Sequence, residues 1–237
     1  MSASARNGRQ NLTKEQIIRT ARAMVKEHGL QSVTLRAVAK ELKVNPTAIT
    51  WHIGSKRNLL VEVSGVIFRE LRLADDRSMT ACEWLMDSGR RFRKLIMDNP
   101  NYAPLIGGQL ASKPPSLPFV ERVLRVLGDL GLRGDGLIVA FNAYTGVLLG
   151  WAALELSEEP AEAAHEVEEN YRETLHDAEP ALYTALNDHG MEVLNKIFML
   201  RWSNGTASPL DKSYEFLLES VVSRICQRAE SGGASSN

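Results

Sequence analysis

Cysteine is nearly absent: Cys82 and Cys226 are the only two in 237 residues. They stand far apart with no metal-like spacing, which points to a reducing, cytoplasmic setting. Long apolar runs are missing as well. None approaches the ~20 residues a bilayer-spanning helix needs, so no membrane association is expected. The opening MSASARNGRQN has no apolar core of the kind a secretory signal carries. No stretch alternates apolar and polar residues for long enough to read as a strand, which leaves an all-α fold. Catalytic patterns are scarce too. No Ser/His/Asp arrangement, glycine-rich phosphate loop or Cys/His cluster stands out, so an enzyme is not expected and no cofactor is implied.

What is present is ordinary in amount and uneven in placement. Hydrophobic residues make up 44% and charged residues 24% of the chain, enough for a soluble protein with an ample core. The net charge of −1 conceals an asymmetry. Residues 1–73 hold 13 Lys/Arg against 5 Asp/Glu, and residues 74–237 hold 15 against 24. A basic head on an acidic body suits a polyanion bound at one end.

The helix signals are local and frequent. Thr13 and Gln16 have capping-box spacing, with Leu12 and Ile17 as a staple, and Gly29 ends the first helix. Thr34 opens the second helix. Asn45-Pro46 is an N-cap followed by a first-turn proline, and Gly54 keeps that third helix short. Ser55 caps a fourth helix with Leu59, Leu60, Val63, Ile67 and Leu71 on one side. Further helices are expected over 80–98, 118–130, 135–156, 189–202 and 210–229. The stretch 101–118 is broken by Gly107-Gly108 and Pro114-Pro115. The expected divisions are a disordered arm at 1–11, a helix-turn-helix head at 12–60 with a connecting helix at 55–74, a helical body at 75–230, and a disordered tail at 231–237.

Residues 34–60, TLRAVAKELKVNPTAITWHIGSKRNLL, carry the chemistry. A helix, a three-residue turn and a second short helix form the unit that places one helix in the DNA major groove. The second helix offers Thr47, Thr50 and His52 outward, with Ile49 turned to the core. Arg36 has the two-pronged donor that fits guanine. Thr34 and Lys56 sit at helix N-termini, where backbone N–H groups favour phosphate oxygens. Trp51 either packs on sugar and phosphate or fills the seam between the third and fourth helices.

These residues resemble the tetracycline-repressor (TetR) family of bacterial regulators. The likeness covers roughly 13–62: a first helix closed by Gly29, then T-L-R-x-V-A-x-E-L-x-V, then T-W-H-I-x-x-K-x-x-L-L. At Thr50 the chain departs from the family, where an aromatic residue is common. The resemblance implies operator contacts from Thr34, Arg36, Asn45, Pro46, Thr47, Thr50, Trp51, His52 and Lys56. It also implies a homodimeric repressor on a palindromic duplex, released by a small-molecule effector.

One short helix makes too few contacts to specify an operator, so two copies are needed. Residues 135–156 and 210–229 are the dimer candidates, because Gly146 and Gly150 permit close helix approach. The resemblance implies an effector pocket in the body, with Met86, Phe92, Tyr102, Leu105, Phe119, Phe141 and Tyr144 as lining candidates, joined by Met79 and Trp151. Residues 155–179 hold ten acidic side chains against one arginine, first read as a solvated face or loop. Glu162/His165 and Glu173/His176 have the Glu-x-x-His form of a metal-carboxylate enzyme. In one helix, however, they lie about 16 Å apart, too far to share a centre. A third reading is a helix-turn-helix used only for protein contact.

Overall fold

A computed structural model describes residues 12–74, 78–109, 117–156 and 210–233, with Thr184 alone between the last two stretches. Among them are nine α-helices and no strand. Two compact units emerge: Met1–Leu156 with Glu215–Asn237, and Ser157–Tyr214. The head, the aromatic core and the cysteine pair all belong to the first. The helix expected at 189–202 and both Glu-x-x-His units lie outside the described residues.

The head forms where its caps say it should. Helix α1 is Lys14–His28, and both halves of the Thr13/Gln16 capping box close, at 3.2 and 2.9 Å. Its stripe of Ile17, Ile18, Ala21 and Val25 is buried. A short 3-10 turn, Leu30–Ser32, follows. Helix α2, Leu35–Glu41, starts at Thr34, whose hydroxyl accepts from the Ala37 N–H at 3.0 Å. Helix α3, Pro46–Ile53, is capped by Asn45. Helix α4, Lys56–Glu70, is capped by Ser55 and buries Leu59, Leu60, Val63, Ile67 and Phe68. Ion pairs Lys14–Glu62 and Arg22–Glu70 fasten α1 along α4.

The body begins with α5, Ala81–Met97, opened by a second capping box in which Thr80 and Glu83 satisfy each other's backbone. A 3-10 turn at Pro100–Tyr102 leads to α6, Ala103–Gln109; α7 is Leu117–Asp129 and α8 is Gly134–Glu155. Helix α9, Asp211–Gly233, runs past the end expected near 229. Helices α6 and α7 flank α8, and α5 lies against both α7 and α8. Gly89 lets three helices meet: a Cβ there would lie 2.7 Å from a Leu218 methyl and 3.4 Å from one of Leu148.

Three expectations need correction. Cys82 and Cys226 are not independent thiols but a bonded pair, with Cα atoms 6.3 Å apart. Glu155 does not belong to a solvated acidic run. It is buried and held by Arg93 through two hydrogen bonds, at 2.9 and 2.6 Å. And among the described residues one helix, α8, is by length and composition long and apolar enough to cross a bilayer. Only 22% of its most apolar stretch is buried within the chain. The physical reason is that Ile138, Val139 and Leu154 lie outward, each about half exposed, beside Gly146 and Gly150.

Candidate nucleic-acid interface

Helix α3 is positioned by its buried side. Ile49 is fully buried and Ile53 nearly so, which fixes the rotation of an eight-residue helix and turns Pro46, Thr47, Thr50 and Trp51 outward. The turn entering α3 is tight. Lys43 adopts φ 55°, and the Val44 N–H donates to Ala39 O at 3.0 Å, a left-handed cap that more often uses glycine. The turn leaving it passes through Gly54 at φ 83°, with Asn58 Nδ2 donating to Ile53 O at 3.1 Å.

Sorting the expected contacts by what already occupies them is informative. Thr34 and Asn45 spend a side-chain oxygen on capping, to Ala37 N and Thr47 N respectively. The Thr50 hydroxyl donates to Pro46 O at 3.2 Å, keeping lone pairs outward. Arg36 and Lys56 are exposed and, with the Thr47 hydroxyl, take no partner among the described residues. Trp51 is 81% exposed, so it does not fill the seam between α3 and α4. Its ring meets the half-buried His52 edge-on, centroids 4.8 Å apart. The result is a set of exposed guanidinium, hydroxyl, indole and ammonium groups carried by α2, α3 and α4. Such a set suits phosphate and base edges better than any closed-pocket chemistry.

The head is also tied to the body, which the sequence reading missed. Asn101 Nδ2 donates to Lys26 O at 2.9 Å, holding the last turn of α1. The buried Tyr102 hydroxyl lies beside the Arg22–Glu70 pair; burial, with the Glu70 carboxylate near it, pushes the phenol above its ordinary value. Phe68 of α4 stacks on Phe119 at 5.9 Å, and Phe119 lies 6.3 Å from Phe92. Any displacement of these rings is therefore felt by α4.

The effector-pocket candidates divide. Phe92 and Phe119 come together, and Leu105 is likewise buried. Tyr144 is committed to the core: its hydroxyl lies 2.7 Å from Ser88 Oγ and donates to Leu85 O at 2.9 Å. Phe141 is half-buried, and Trp151 donates to Glu155. Met86 instead lines an open cleft between α5 and α9.

Comparison with known proteins adds what geometry alone does not. Residues 17–63 match the profile described as bacterial regulatory proteins, tetR family. Over 178 residues the chain is 26% identical to the tetracycline repressor protein class E of Escherichia coli, covering 74% of this chain and 80% of that one. It is 22% identical over 144 residues to an HTH-type transcriptional regulator of Saccharopolyspora erythraea, and spans 61% of that relative's length. Among solved structures it resembles ActR from Streptomyces coelicolor in complex with actinorhodin, at TM-score 0.69 and 18% identity, covering 91% and 96% of the two chains. It also resembles BioQ with its double-stranded DNA operator, at TM-score 0.56 and 27% identity over 62% and 89%.

Proposed function

Because the chain belongs to the tetR family of bacterial regulatory proteins, we propose that it is a dimeric repressor: each copy lays α3 in the major groove of a palindromic operator and lets go when a small effector binds the body. The observation that carries this reading is the outward face of α3, with Trp51 81% exposed over the buried Ile49. In this reading Arg36 and Thr47 address base edges. Thr34, Lys56 and the backbone around Asn45 and Pro46 hold phosphates, and Thr50, Trp51 and His52 pack along the sugar-phosphate edge. The functional division is a head through residue 60, a connecting helix over 55–74 and a body from 75 onward.

The dimer reading rests on apolar surface left outside the core. Ile138, Val139 and Leu154 of α8 and Phe216 of α9, the last 73% exposed, are large side chains facing out. A Cβ built at Gly146 or Gly150 meets nothing within 4 Å in the same chain. A second copy with the same face suits this surface by two-fold symmetry. For release, an effector must favour one of two states. Entry beside Phe92, Leu105 and Phe119 would shift Phe68 and with it α4, changing the spacing of the paired α3 helices. The site is the bacterial cytoplasm, where the operator is, and the work is binding rather than catalysis.

The test begins by selecting bound duplexes from a random pool. Arg36→Ala should weaken binding by about 1–3 kcal/mol per half-site and relax one base position. Lys56→Ala should weaken all sequences alike and flatten the dependence of affinity on salt, by about two counterions in a dimer. If Arg36→Ala combined with Thr47→Ala binds the selected duplex as tightly as the unaltered protein, this reading is wrong.

A further inference from the structure

The bonded cysteines join the first turn of α5 to the middle of α9, across 144 residues of sequence. Their Cα separation of 6.3 Å lies within the range that accepts a disulfide without moving the backbone. Both residues are half-buried rather than sealed. Together with Met86, Arg90, Glu215 and Val222 they line an open cleft of about 460 Å³, so a small solute reaches either sulfur. A disulfide accessible to solutes in a compartment that keeps thiols reduced is one that cycles. We propose that Cys82 is a peroxide-sensitive thiol, that Cys226 resolves it, and that the bond between them is a reversible oxidative modification regulating the protein. The compartment, and the consequence at DNA, rest on the regulator reading above.

The two sulfurs are not equivalent. Cys82 is the second residue of the 17-residue helix α5, where the helix dipole favours a thiolate. Arg90, two turns further along the same face, is held by the Glu215 carboxylate across the same cleft, so the helix terminus is what sets the two sulfurs apart. Glu83 also borders the cleft, with its carboxylate engaged at the cap, accepting from Thr80 N at 2.8 Å. Cys226 sits mid-helix with no such help. The Cys82 thiolate therefore attacks hydrogen peroxide. The O–O bond breaks, the leaving hydroxide takes a proton to become water, and Cys82 is left as a sulfenic acid. The Cys226 thiol then attacks the Cys82 sulfur, the S–O bond breaks, and a second water leaves. Two thiols have given two electrons to one peroxide. A small dithiol reverses the bond by exchange and is itself oxidised.

The bond bears on both ends of the molecule's work. Helix α5 grips the segment that leaves α4: Trp84 Nε1 donates to Ala74 O at 3.2 Å, and Arg91 donates to Arg72 O at 3.2 Å. Helix α9 carries the outward Phe216. Tying α5 to α9 thus couples the helix that aims the head to the face that meets the second copy.

The experiment uses the full chain, reduced and then treated with hydrogen peroxide. The unaltered protein should lose both titratable thiols and regain them with dithiothreitol. In Cys226→Ser, dimedone should label Cys82; in Cys82→Ser, Cys226 should stay unlabelled. Two thiols surviving peroxide, or equal labelling at both positions, overturns the assignment. On a selected duplex, the dithiol and disulfide forms should differ in affinity by about fivefold or more, the low end of usual coupling, and Cys82→Ser should show no difference. Equal affinity of the two wild-type forms overturns the regulatory link. Binding of no duplex in either form would sink the repressor reading instead, and the thiol measurements remain decisive without it.

Discussion

Gly150→Arg should turn a dimer into a monomer and cost at least about a hundredfold in operator affinity. The substitution is mild for the chain itself. Gly150 is exposed on α8, and a Cβ there has no neighbour within 4 Å. Arginine is also a better helix former than glycine by about 0.8 kcal/mol. Helix content should therefore be kept. In the dimer proposed above, what changes is the close approach of a second α8. A guanidinium placed between two apolar helices loses water without gaining a partner, and its length holds them apart. The affinity loss follows from linkage. A head tethered to a bound twin meets its half-site at roughly millimolar effective concentration. Alone, it has only the non-specific range of about 10⁻⁴–10⁻⁶ M to work from. Sedimentation and duplex titration of the same samples check it. A variant that remains dimeric with unchanged affinity would show that α8 faces something other than a second copy.

How much of this was legible in the sequence depends on how far apart the partners lie. The caps at Thr13, Thr34, Asn45 and Ser55 all form where their spacing puts them, because each is settled within four residues. The box at Thr80 and Glu83 had the same readable spacing and was passed over. The rotation of α3 was legible too, since Ile49 is its inward apolar residue. Trp51 was not, because an aromatic beside a helix seam has two apolar homes, and only the packed structure shows it outside. Longer-range pairings left no trace. Two cysteines 144 residues apart carry no spacing signal. The Asn101–Lys26 and Tyr102–Arg22 approaches depend on how α1 lies against the turn after α5. Apolar stripes on α8 announce burial without saying whether the cover is the same chain or another. Glu155 was misread for a related reason. Counting charge over 155–179 treats each carboxylate as solvated, and the arginine that meets this one is 62 residues earlier.

Glu155→Ala should destabilise the protein by about 3–5 kcal/mol, the usual cost of breaking a buried pair by removing one partner. Glu155 is an unfavourable choice by every local rule. It is an acidic residue in the last turn of α8, where the helix dipole opposes it. Its side chain is 2% exposed. Arg93 meets it with a two-pronged contact, and the Trp151 indole donates to it at 2.8 Å. Alanine would take the Glu155 carboxylate away from the Arg93 guanidinium, which is 15% exposed. That residual exposure lets water reach it in part, which favours the lower end of the range. Glu155→Gln, of the same shape, keeps an acceptor and should cost less. Replacing both partners, Arg93→Leu with Glu155→Leu, should cost less than the two single truncations added together, because the contact between them is then lost once rather than twice. Denaturant midpoints for the four proteins at one protein concentration decide it. If Glu155→Ala lies within about 1 kcal/mol of the unaltered chain, the size of an exposed ion pair, then the α5–α8 contact is held by its apolar neighbours, and the carboxylate is merely accommodated.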